Sequence, residues 1–387
     1  MNRFLTLLLL PLSVAAKDLT LEIPNLPHLV KVSLPENFDP AIKHPTFFYY
    51  HGTSGRPTTS FMRNQAGNKD WIIVGMSYTH RGKFTLSPQS FAAERKTYHT
   101  VRNLMLQKHG ADPNHLYVGG FSLGGWHTDL MLQAEPTISG GIIIGAGHAQ
   151  TAPGAMKRYP DKKPVHIAIG RSDGNYTFAL KGYLHHRKLG GAVSMEVWPT
   201  LRHAYPEDGS DSIRQWLALR TQTAKALAPL ATQELAETAA KAKSLKPIEQ
   251  WERLREIKNM PYFALTSPAW QAKFKKSLAA LEATPPVATE ASLYSKHRRL
   301  LHQEITNRTL TSLKKVSESY LDLSSQYPNS RQGKLLEEDF KRTAAILKQI
   351  KVIPSGKKPT EVPRGPIPRT RIPGNPLIRK SVNPLIR

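Results

Sequence analysis

Gly120-Phe121-Ser122-Leu123-Gly124-Gly125 follows an apolar run, His115 to Gly119, and opens into a stretch of helical texture from Trp126 to Leu132. A serine held between such elements in a sharp turn presents its hydroxyl outward, the setting in which serine becomes a nucleophile. Glycines must flank it, because side chains there would collide with the strand before the turn or the helix after it. By composition alone a G-x-S-x-G arises in about one chain of this length in ten. The motif therefore counts only with a base and an acid in a suitable order.

Both follow. Val165 to Ile169 reads as a short buried strand and ends in a turn carrying Asp173, Gly170-Arg-Ser-Asp173-Gly-Asn175. An amphipathic stretch from Phe178 to Leu189 leads to a second strand-like run, Val193 to Trp198, which ends in Pro199-Thr-Leu-Arg-His203. Ser122, Asp173 and His203 thus each lie at the carboxyl end of a candidate strand, and a hydroxyl, a carboxylate and an imidazole are what nucleophilic attack on a carbonyl needs. His203 takes the serine proton, and Asp173 fixes the imidazole tautomer and stabilises the imidazolium. Backbone N–H groups must receive the oxyanion. Leu123, next to the nucleophile, and Thr53, in His51-Gly52-Thr53-Ser54-Gly55 after the run Thr46 to Tyr50, are the expected donors. Asp161, Asp208 and Asp211 compete as the acid, but the first precedes a strand and the others follow His203. His127 and His148 are candidates to line the pocket, against the simpler reading of hydrogen-bonded structural histidines. No metal site is expected: His185 and His186 are adjacent and point to different helix faces, and no H-E-x-x-H spacing occurs. No cofactor is called for.

On these residues the segment from about Asp18 to Arg220 resembles the α/β-hydrolases, and most nearly the secreted esterases that include feruloyl, acetylxylan and polyhydroxyalkanoate-depolymerase-type enzymes. The resemblance implies a serine hydrolase acting on small or polymer-borne carboxylic esters through an acyl-enzyme. It departs from the pattern at Thr53 and Ser54, where many relatives carry further glycines. A serine peptidase of prolyl-oligopeptidase type shares the catalytic domain, although no propeller-sized region precedes it here. A non-catalytic envelope-binding protein on the same scaffold is the third alternative.

The elements that must position these groups alternate. Asp70 to Gly75 reads as a strand and Phe91 to Gln107 as a helix, followed by the elbow strand; Leu19 to Leu34 is expected to form antiparallel edge strands, and Ser210 to Trp216 a capped helix. The fold class predicted is α/β, a mostly parallel sheet with helices on both faces. The short spacing between Ser122 and His203 leaves no room for a large helical lid. Beyond Arg220 glycine nearly vanishes, and Leu313, Val316, Tyr320, Leu323 and Tyr327 recur at helical spacing, with Ser267-Pro268 and Pro285-Pro286 as punctuation. The expected organisation is 1–16 signal peptide, 17–220 catalytic domain, 221–352 helical region and 353–387 disordered Pro/Arg-rich tail.

Met1 to Arg3, an apolar core from Phe4 to Leu12 and Val14-Ala15-Ala16 have the form of a cleavable leader too short to span a bilayer, so a secreted or periplasmic protein without a transmembrane segment is expected. Absence of cysteine excludes thiol catalysis. The formal charge of +25, from 54 Lys+Arg against 29 Asp+Glu, and the tail point to an anionic envelope or polysaccharide surface as partner. No specific nucleic-acid module is present in the sequence.

Overall fold

The computed structural model describes residues 18–36, 38–67, 69–80, 85–307 and 309–352. The expected leader (1–16) and tail (353–387) lie outside them.

Eight strands form one sheet among the described residues: β1 (Asp18–Leu21), β2 (Val30–Ser33), β3 (His44–Tyr50), β4 (Ile72–Met76), β5 (Ala111–Phe121), β6 (Gly140–Ile144), β7 (Pro164–Gly170) and β8 (Ala192–Trp198), in the order β1-β2-β4-β3-β5-β6-β7-β8. β1 pairs antiparallel with β2 and β2 with β4, and the pairings from β4 through to β8 are parallel. Parallel strands covered on both faces can be apolar at successive positions. In β3, Phe48 and Tyr50 enter one core with α2 (Pro88–Lys108), α3 (Leu123–Ala134) and α4 (Tyr176–Lys188), while Phe47 and Tyr49 enter the other with Met62 of α1 (Ser60–Ala66) and Trp216 of α5 (Asp211–Thr221). The period-two alternation of a strand sends neighbours to opposite faces and so builds both layers at once. This is the α/β-hydrolase architecture, with the elbow serine between the central β5 and α3.

The helices start where their caps dictate. Ser87, Ser210, Thr223, Ser267 and Thr309 each accept a hydrogen bond from the backbone N–H three residues on. The C-terminal region is helical: α6 (Ala224–Ala242), α7 (Pro247–Asn259), a 3₁₀ turn (Pro261–Leu265), α8 (Pro268–Glu282), α9 (Pro285–Thr306), α10 (Leu310–Gln326) and α11 (Arg331–Val352). Pro268 and Pro285 stand at N1, where the missing N–H leaves no bond unmade. α7 packs on β8 and α9 on α4, so the helical region covers the edge that the sheet would otherwise expose. α1 has no counterpart among the sequence expectations: with 7 residues, it is too short for a helical period to stand out.

Candidate active site

Ser122 has φ +56° and ψ −112°, a left-handed backbone that side chains rarely adopt. Close packing enforces it. A Cβ on Gly120 would lie 2.5 Å from the Tyr50 carbonyl oxygen, one on Gly125 would lie 2.7 Å from Ala146 Cβ, and one on Gly124 would fall on the Tyr50 carbonyl oxygen itself. The Ser122 N–H donates to the Ile144 carbonyl at 2.8 Å, tying the elbow to the end of β6.

The structure brings Ser122, His203 and Asp173 together. Ser122 Oγ is 2.7 Å from His203 Nε2, and His203 Nδ1 is 2.7 Å from Asp173 Oδ2. Because a carboxylate can only accept, Nδ1 carries the proton of the neutral ring and Nε2 is left to accept from the serine hydroxyl. The Asp173 side chain is 1% exposed, whereas that of His203 keeps 25% of its surface. The carboxylate is thus shielded from water and the imidazole is reachable. Phe121 lies beside the imidazole with ring centroids 5.0 Å apart.

The acid turn is fastened on three sides. The N–H of Asn175 donates to Asp173 Oδ1 at 2.8 Å, and its side-chain amide donates to the Gly145 carbonyl at 2.9 Å. The backbone N–H groups of Arg171 and Ser172 donate to Trp198 and Leu201 carbonyls, joining the loop after β7 to the loop that carries His203. From the helical region, Asp339 Oδ2 on α11 accepts from Arg171 at 2.7 Å and from His297 of α9 at 2.7 Å, and Glu338 accepts from the Ser172 hydroxyl at 2.8 Å. Burial would raise the Asp339 carboxyl; the Arg171 and Arg342 guanidiniums outweigh it and hold the group well below the usual carboxylate range. Arg171, Ser172, Glu338 and Asp339 were missed in the sequence, and no local pattern announces a contact across more than 160 residues. Asn175 was visible as the third residue of an Asp-x-Asn turn.

Leu123 is the first residue of α3, where a backbone N–H has no intrahelical acceptor. Thr53 is exposed in the turn after β3, and its neighbour Gly52 lies against Ser122: a Cβ there would stand 3.4 Å from Ser122 Cβ. His51, anchoring this turn, donates from Nδ1 to the Gly52 carbonyl at 2.8 Å, and burial lowers its basicity.

The competing carboxylates sit elsewhere. Asp161 and Asp208 are exposed, and Asp211 pairs with Arg214. His148 faces Asp129 at 3.2 Å and stacks on His185 with centroids 3.7 Å apart; His186 bonds the other Asp129 oxygen at 3.0 Å. His127 is fully buried beside Tyr50, and its pKa is pushed down to about 3 by burial.

No family model matches the chain, and no curated protein matches it. Among solved structures, it is similar to the S-formylglutathione hydrolase of Staphylococcus aureus, with 16% identity over 54% of this chain and 96% of that one at a TM-score of 0.40. It is also similar to the CE1 ferulic acid esterase of the anaerobic fungus Anaeromyces mucronatus, with 16% identity over 54% and 90% at 0.38. A third similarity, to the acylaminoacyl peptidase of Pyrococcus horikoshii, has 14% identity and a TM-score of 0.39 over 54% of this chain, but reaches only 40% of that protein's length.

Proposed function

We propose that this chain is an exported serine hydrolase that cleaves carboxylic esters through an acyl-enzyme. Ser122 Oγ attacks the ester carbonyl as His203 Nε2 takes its proton. Asp173 holds the ring and stabilises the imidazolium, and the oxyanion is received by the backbone N–H groups of Leu123 and Thr53. His203 then protonates the departing alcohol, and a water activated by the same imidazole releases the acid and restores the serine.

The observation that carries this reading is the continuous chain of two 2.7 Å contacts from Asp173 through His203 to a serine in strained backbone. Export is supported by the leader-like residues 1–16, and mature protein beginning near Lys17 outside the cytoplasm is the expected result.

A fluorophosphonate should label Ser122, and a panel of acetyl, butyryl, feruloyl and long-chain esters should be hydrolysed by wild type and not by Ser122→Ala. Failure to label folded protein would favour a binding protein on this scaffold, and turnover of peptide anilides in place of esters would favour the peptidase. Truncation at Pro354 should leave small-ester turnover intact while weakening salt-sensitive adhesion to anionic polysaccharide; unchanged adhesion would remove the tail as a tether.

A further inference from the structure

A cavity of about 290 Å³ lies between the β8 edge of the sheet and helices α7, α9 and α11. Its walls include neither Ser122 nor His203. Tyr176, Met195, Trp198, Met260 and Leu335 supply apolar and aromatic surface, and Asn259 and Arg298 are exposed, so the cavity meets solvent beside them.

Two of its arginines lack an ion pair among the described residues. Two of the three wall glutamates have a guanidinium partner, Glu252 with Arg331 at 2.9 Å and Glu256 with Arg253 at 2.8 Å, and the third, Glu196, accepts from the neutral Ser210 hydroxyl at 2.5 Å. Arg171 is held by Asp339. Arg255 and Arg298 have no carboxylate within ion-pair distance among the described residues. Both guanidiniums also lie over one ring, Tyr294, at 3.3 and 5.8 Å from its centroid, with Trp251 on Arg255 as well. Two like charges over one ring repel, and burial, with Arg298 adding to it and Tyr294, Glu252 and Glu282 opposing it, lowers the basicity of Arg255. An anion between these groups would relieve the repulsion and accept hydrogen bonds from the planar guanidinium fork.

We propose that this cavity is a second binding site, separate from the serine centre, for a small carboxylate with an apolar body. The guanidiniums take the carboxylate and the Tyr176, Met195 and Leu335 walls take the body. Under the proposed ester hydrolysis this is the chemical class of the released acid, although binding here does not depend on turnover.

Calorimetric titration of the full chain with benzoate and with hexanoate tests the site. One saturable site is expected, retained in Ser122→Ala and weakened about tenfold or more in Arg255→Leu, which keeps the apolar stack but removes the charge. Arg298→Gln at the solvent-facing end should weaken binding less, and it keeps the test open if Arg255→Leu does not fold. The Trp198 indole N–H resonance, assigned with Trp198→Phe, should move during titration. Absence of saturable binding, its loss in Ser122→Ala, equal binding of sulfate, or wild-type affinity in both arginine variants would overturn the proposal. Ester turnover by wild type, measured separately, reports on the serine centre alone.

Discussion

Ser122 and Asp173 are held by different means. At the elbow, backbone meets backbone: glycines at 120, 124 and 125 let β3, β6 and α3 approach until no Cβ fits, and Ser122 is strained into place against Tyr50 and Ile144, which are far from it in sequence. At the acid loop, charged side chains from a separate helical region reach in, and Arg171 and Asp339, 9% and 4% exposed, form the anchor. A steric cage tolerates no substitution but is indifferent to pH. A buried ion network keeps its shape only while its charges are complete, since one partner removed leaves the other buried and uncompensated.

Substitutions at the two ends separate these mechanisms. Ser122→Ala should lower ester turnover by about 10⁵-fold or more with the fold intact, as circular dichroism and rates on p-nitrophenyl acetate would show. Gly124→Ala, whose new methyl would fall on the Tyr50 carbonyl oxygen, should destabilise by about 3 kcal/mol or more in urea unfolding. Stability within experimental error of wild type would mean that the elbow is not a cage.

Asp339→Asn preserves shape but strands Arg171, while Arg342 keeps its two bonds to Glu304; a loss of about 3 kcal/mol is expected. Its kcat per folded molecule should fall about tenfold with KM nearly unchanged, because Asp173 shifts relative to His203. Unchanged kcat would reduce the contact to a structural one. The Asp339 carboxyl, held low in the fold, adds stability that is present above the ordinary carboxylate pKa and lost as pH falls below it.

His127 offers a contrast within the sheet domain. Its folded pKa of about 3 lies below the free value of 6.5, so between those values the unfolded chain binds a proton that the native state refuses. Stability therefore falls as pH drops, by about 2 kcal/mol at pH 5 from this group. Urea titrations at pH 7.5 and 5 should show a correspondingly smaller drop for His127→Phe; equal drops would show that the imidazole does not carry the dependence. Ser172→Ala should have the smallest effect, about 1 kcal/mol or less, because its bond to Glu338 is exposed.

What could be read without coordinates follows the same division. The elbow, the strands ending at Asp173 and His203, the cap at Ser210 and the prolines that open α8 and α9 all express rules that act over a few residues, and the chain states them in order. Helix starts lie earlier than periodicity alone shows: α3 begins at Leu123 rather than at Trp126, because Gly124 and Gly125 are already helical. The fold class follows from the alternation of these local signals.

Which groups touch across long separations was decided by tertiary structure alone. The amino-acid sequence by itself determined a glycine-flanked serine turn, an imidazole and a carboxylate at strand ends, and a helical region after them, since backbone sterics and side-chain period are properties of neighbours. That α11 grips the acid loop through Asp339, and that Arg255 and Arg298 are driven onto a single tyrosine, emerged only when the helical region packed against the sheet edge. Electrostatic partnership depends on distance in space, and no spacing along the chain records it.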